Sequence, residues 1–151
     1  MNTIVYKKHP AYIVKQSLLP IVLAIIGLYF LDRAGYAIAG VCAVWLLCEW
    51  IKYKKTCFIF ELDRYVLRLR RGKVIGKNDE NIELARVVDI NKKKGIWEVA
   101  TGTATFDVIV IRANKEYHKI VSMVQDPVEF ENTLREISRA AKSKRGVVQR
   151  V

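Results

Sequence analysis

The residue types that most often do chemistry are thinly spread in this chain. Its two histidines, His9 and His118, have neither a cysteine nor a carboxylate at metal-ligand spacing. No phosphate-cradling glycine loop, serine elbow or paired-carboxylate arrangement occurs, and Gly95 and Gly102 read as turn glycines. No catalytic residue, metal site or cofactor is assigned, and an enzyme is not expected. The cysteines Cys42, Cys48 and Cys57 form no even-numbered framework. The first two sit too far apart in one apolar helix to bridge, which fits a reduced, cytoplasmic setting.

Binding chemistry is better represented. A formal net charge of +11 asks for an anionic neighbour. Arg68, Arg70, Arg71 and Lys73 alternate along one segment, and Lys92, Lys93 and Lys94 precede Gly95 and Trp97. Each group has two readings. Cations beside an anionic leaflet contribute about 1 kcal/mol apiece, but alternating arginines also keep a strand face soluble, and a lysine loop can simply be solvated. Lys142, Lys144, Arg145 and Arg150 make the C-terminus basic without any base-reading chemistry. With no helix-turn-helix signal and no exposed aromatic platform, nucleic acid is not an expected partner.

The elements that position these groups fall into two unlike halves. Residues 14–31 and 34–51 are apolar runs of eighteen residues each, about 27 Å as helices, just short of a hydrocarbon core of about 30 Å. Asp32-Arg33-Ala34-Gly35 reads as the turn between them, and two charges held at mid-bilayer would cost about 2.5 to 3.5 kcal/mol each, so the turn is placed on the far side. Lys7, Lys8 and Lys15 before the first helix and Lys52, Lys54 and Lys55 after the second put both termini in the cytoplasm. Tyr12, Trp50 and Tyr53 mark the inner interface; Tyr29, Phe30 and Tyr36 mark the outer. Gly35, Ala39 and Ala43 recur every four residues and offer a small-residue face to the first helix or a neighbouring copy. Glu49 can reach Lys52 one turn on. The Ala37-Ile38-Ala39 triplet lies inside the second apolar run, so removal of the N-terminus as a signal peptide is not expected.

After Lys55 the period shortens to two. Strands are predicted at residues 56–62, 65–73, 81–84, 86–90, 96–100, 103–113 and 116–124, separated by residues 76–80, 92–95, Thr101-Gly102 and Ala113-Asn114. Asp126 as cap, Pro127 at the first helical position and Glu129 three residues after the cap start a helix through Ala141, with Phe130, Leu134, Ile137 and Ala141 on one stripe. The organisation predicted is an N-terminal segment with a transmembrane hairpin (1–55), a β-rich domain (56–141) and a basic flexible tail (142–151).

This order of elements, with IELARVVDI (82–90), TGTATFDVIV (101–110) and VSMVQDPVEFENTL (121–134), resembles the bacterial PH-like membrane proteins of the DUF304 type over nearly the whole chain. The resemblance implies a membrane-anchored α+β protein whose soluble part is a PH-like antiparallel β-barrel or sandwich capped by the last helix. It implies a binding protein of the bacterial cytoplasmic (inner) membrane, an adaptor or scaffold with a protein partner or a homo-oligomeric state. Alternatives are an anionic-lipid sensor and an accessory subunit of a larger membrane complex. Eukaryotic relatives of the architecture often hold phosphoinositide headgroups with basic residues of the first hairpin, the region occupied here by Arg68, Arg70, Arg71, Lys73 and Lys77. The tryptophan usual in the eukaryotic C-terminal helix is missing, and headgroup recognition is not carried over.

Overall fold

A computed structural model describes residues 2–30 and 32–148. Two apolar helices, α1 (Ala11–Phe30) and α2 (Asp32–Lys55), pack as a hairpin against a domain of seven strands and a long C-terminal helix. The outward faces of both helices, Leu18, Leu19, Val22, Ile25, Val41, Val44 and Leu47 among them, are apolar and exposed. A helix that is apolar on its exposed faces suits lipid better than water.

The first sheet has the order β1-β2-β3-β4, formed by Thr3–Lys7, Cys57–Glu61, Val66–Gly72 and Lys77–Glu83. The second has the order β5-β6-β7, formed by Val87–Lys93, Ala104–Arg112 and Lys115–Val124. All pairs are antiparallel, and the sheets make a sandwich, not a closed barrel. β6 and β7 turn through Ala113 and Asn114, both at positive φ, as a two-residue hairpin requires.

β1 belongs, on sequence, to the segment ahead of the hairpin, yet it is the edge of the first sheet, with Thr3 opposite Glu61 and Lys7 opposite Cys57. The hairpin is therefore an insertion between two neighbouring strands. Just beyond β1 the chain reaches the second sheet as well: Lys8 bridges to Val124, the His9 N–H donates to the Met123 carbonyl at 2.9 Å, and the Gln125 N–H donates to the Lys7 carbonyl at 3.2 Å.

Other expectations need correcting. The predicted interhelical turn is helical from Asp32 onward; Leu31 lies outside the described residues. The predicted strand 96–100 is a short helix, α3 (Ile96–Thr101), closed by Gly102 at φ 67° with the Thr103 N–H donating to the Glu98 carbonyl. Gly102 is thus a helix terminator, not a hairpin glycine. β4 begins at Lys77, so most of the predicted turn 76–80 is strand. The last helix, α4 (Pro127–Val148), continues past Ala141 through most of the expected flexible tail; residues 149–151, with Arg150, lie outside the described residues.

The core lies between the sheets and α4. Phe130 enters it from α4 and meets the rings of Tyr6, Phe58, Phe60 and Phe106 at centroid distances of 5.2 to 6.1 Å. Leu134, Ile137 and Ala141 continue the buried stripe, and Ser138 Oγ donates to the Leu84 carbonyl at 3.0 Å. Tyr6 ties β1 to α4, its hydroxyl 2.9 Å from Thr133 Oγ1 and 3.2 Å from Glu129 Oε1.

Candidate functional site

The cations singled out by sequence are mostly engaged with the protein itself. β3 alternates Leu67 and Leu69 into the core with Arg68 and Arg70 on the other face. Arg68 meets the buried Glu61 at 2.5 Å, and Arg70 makes a forked pair with Asp79 across to β4 at 3.1 and 3.2 Å. Arg71 is exposed and reaches Glu80 at 3.8 Å. Lys73 is exposed in the turn after β3, and Lys77 opens β4. Because β1 precedes the helices, these residues, on β3, in the turn after it and at the start of β4, belong to the third strand hairpin of the fold, not the first.

Lys92, Lys93 and Lys94 do not form a single basic turn. β5 runs through Lys93, so the first two are strand residues: Lys92 Nζ donates to Glu131 of α4 at 3.1 Å, and Lys93 Nζ donates to the buried Asp107 at 3.2 Å. Only Lys94 stays on the loop, exposed. Asp107 also faces His118 Nδ1 at 3.1 Å. Burial alone would raise the Asp107 carboxyl, but the bonds from His118 and Lys93 outweigh it and hold the group below its ordinary value.

In the helical hairpin, Gly35 is buried, Ala39 half-buried and Ala43 exposed. The covered positions along the seam include Gly35, Ala39, Cys42, Leu46 and Glu49 on α2 and Ile13, Ser17, Pro20, Ala24 and Gly27 on α1. That is a spacing of three and four residues, whereas a stripe repeating every four drifts about 40° per step around a helix of 3.6 residues per turn. Ala43 has rotated off the seam, and Cys42 takes its place. Glu49 pairs with Lys52 at 2.7 Å, as its spacing suggests.

The structure gathers a different cluster where the hairpin meets the domain, from residues far apart in sequence. Lys8, only 9% exposed, holds its ammonium 3.3 Å above the Tyr12 ring. Desolvation, aided by the charge of Arg71 and opposed by Glu49, lowers its pKa to about 8. Lys8, Tyr12, Lys52, Arg71 and Ser122 line a cavity of about 310 Å³. On the other side of Tyr12 a second cavity, about 430 Å³, holds Lys15, Lys93, Glu98 and Thr105. Glu98 is buried there, 3.8 Å from Lys15 and accepting from Thr105 Oγ1 at 3.2 Å. Burial would raise its pKa, but its own backbone N–H, Lys15 and Thr105 together lower it. Sequence marked Lys8 only as a flanking charge and gave no signal for Glu98, since the bridge of the one to Val124 and the pairing of the other with Lys15 join residues far apart in the chain.

A third feature lies where the sheets fail to close. Among the described residues β4 ends the first sheet and β7 ends the second. Between them a cleft of about 550 Å³ is lined by Asp79, Glu80, Asn81, Arg86, Tyr117 and Lys119, with Lys119 paired to Glu80 across it. Its donors and acceptors are of both signs, and among the described residues no three histidine, cysteine or carboxylate side chains converge to hold a metal. Such a lining suits recognition of a polar chain segment.

No curated protein and no solved structure matches the chain. The family model for the bacterial PH domain matches residues 14–148, starting inside α1 and so leaving β1 outside the match. With two sheets of four and three strands, a C-terminal helix packed on them, and that match over most of its length, the chain belongs to the bacterial PH domain family.

Proposed function

We propose that this protein is a non-enzymatic adaptor of the bacterial cytoplasmic membrane: α1 and α2 span the bilayer and the PH domain presents a protein-binding or self-assembly surface beside the inner leaflet. The observation that carries the reading is the cleft between the unpaired edges of β4 and β7, since free strand edges are templates for an added segment. Topology is supported from two directions. Lysines flank both ends of the hairpin, and the pairing of Lys7 with Cys57 brings both ends out on one face. The test is photo-crosslinking of the full chain in native membranes from Asn81 and from Tyr117. Discrete protein adducts from these two positions, absent from a probe at Asp63, are expected. Recovery of monomer alone would refute the adaptor reading.

A second reading, an anionic-lipid sensor, draws on the convergence of Lys8, Lys52 and Arg71 in one cavity at the hairpin foot. It predicts that the full chain, reconstituted in vesicles, selectively retains anionic over zwitterionic lipid, and that Arg71→Glu with Lys52→Glu removes the preference. Equal retention of both lipids in the unaltered chain would rule it out.

A further inference from the structure

We infer that the domain is seated on the bilayer by two apolar tips, α3 and the β3–β4 turn, which enter the headgroup zone on either side of the hairpin. The inference rests on the reading that α1 and α2 span the membrane. α3 presents Ile96, Trp97 and Val99 outward, with Ile96 88% and Val99 67% exposed, while its one buried side chain, Glu98, faces α1. The β3–β4 turn presents Val74 and Ile75, the latter 90% exposed. Ile96, Val99 and Ile75 are too exposed to serve the packing of the domain.

Their position says what covers them. Glu98 fixes α3 at the level of Lys15, which is four residues into α1, about 6 Å along its axis. The apolar run 14–31 covers about 27 Å, just short of the hydrocarbon it must cross, so Lys15, its second residue, lies at the headgroup boundary and α3 lies level with it. The second tip is held beside the other helix: Lys55, the last residue of α2, donates from Nζ to the carbonyls of Val74 at 3.2 Å and Lys73 at 3.5 Å. The chemistry matches the zone, with a tryptophan and aliphatic side chains at the tips and Lys94, Lys73 and Lys55 at their rims. The occupant is the same membrane that holds the hairpin, not a protein partner, because both tips flank its two helices on the side of the domain.

The test uses the full chain in vesicles of equal parts phosphatidylcholine and phosphatidylglycerol, with the phosphatidylcholine brominated on its acyl chains close to the headgroup. One variant keeps Trp97 alone (Trp45→Phe, Trp50→Phe); a second keeps Trp50 alone (Trp45→Phe, Trp97→Phe) and reports on the hairpin. Quenching of both tryptophans is expected, and adding Ile96→Asp and Val99→Asp, both at largely exposed positions, should cut Trp97 quenching several-fold and shift its emission to the red. Quenching of Trp50 but not Trp97 would overturn the seating and leave the spanning hairpin intact. If neither is quenched, both readings fall.

Discussion

Arg68 alternates with leucines along β3, a pattern that suits a lipid-facing cation and a solvated strand face equally well. Its partner decides between them. Glu61 is buried, and removing the charge 2.5 Å away would leave a buried carboxylate uncompensated, typically a loss of 3 to 5 kcal/mol. We therefore expect Arg68→Met to lower the melting temperature markedly while leaving retention of anionic lipid unchanged; the reverse pattern would return Arg68 to the binding surface. Lys8 gives a pH-dependent counterpart. Its pKa is depressed from 10.5 to about 8, so between those values the unfolded chain holds a proton that the folded chain has lost, and stability rises with pH. Across that window the unaltered protein should gain up to roughly 3 kcal/mol relative to Lys8→Met, read as diverging thermal melts in detergent. Parallel melts at every pH would show that Lys8 stays solvated. Sequence displayed the arginines and lysines but not their carboxylate partners, since strand register brings Glu61 to Arg68 and Asp107 to Lys93, and only the packing of α4 brings Glu131 to Lys92.

At the scale of elements, long periodic segments were legible and short ones were not. The two apolar helices, the β2–β3 hairpin and the start of α4 follow from runs, alternation and capping residues that act within a few positions. β1 could not be read this way: five residues pair with a strand fifty positions later, and nothing local announces an edge whose partner lies beyond a hairpin. α3 failed for another reason. Six residues are too few to separate helical from strand periodicity, and Gly102 serves as a helix terminator or a hairpin glycine with equal ease. The helix seam carries a sharper expectation. A Cβ on Gly35 would lie 2.2 Å from the Gly27 carbonyl oxygen, whereas one on Gly40 meets nothing within 4 Å. Gly35→Ala should separate the helices and cost about 1 to 3 kcal/mol, and Gly40→Ala should leave the melting temperature unmoved. Gly72→Ala should resemble Gly35→Ala, since its Cβ would meet the Lys52 carbonyl oxygen at 2.2 Å and push α2 off β3. Equal melts for the three variants would mean that the hairpin does not pack in this register.

For the whole molecule, the insertion of the hairpin between β1 and β2 matters more than its length. A tether attached at one end would let the domain tumble, but this one leaves from the first sheet and returns to it, while residues 7–9 also clip the second sheet. The same topology means that residues 56–151 are not a complete domain: without β1, the Tyr6 ring no longer covers Phe60 and Phe130, and the link from Tyr6 to Thr133 of α4 is gone. Losing a buried aromatic side chain of this kind costs about 3 to 5 kcal/mol, most of the stability of a domain this size. Replacing residues 9–55 with a short glycine-asparagine turn should do no such damage, because Lys7 already faces Cys57 as the closing pair of an antiparallel hairpin. The turn-closed chain should melt cooperatively in the absence of detergent, whereas the 56–151 fragment should bind a hydrophobic dye and melt without a cooperative transition. A synthetic peptide of residues 2–9 should restore part of that transition to the fragment. A fragment that melts as sharply as the turn-closed chain would show that β1 is dispensable, and the rigid coupling between the apolar hairpin and the domain would have to be abandoned.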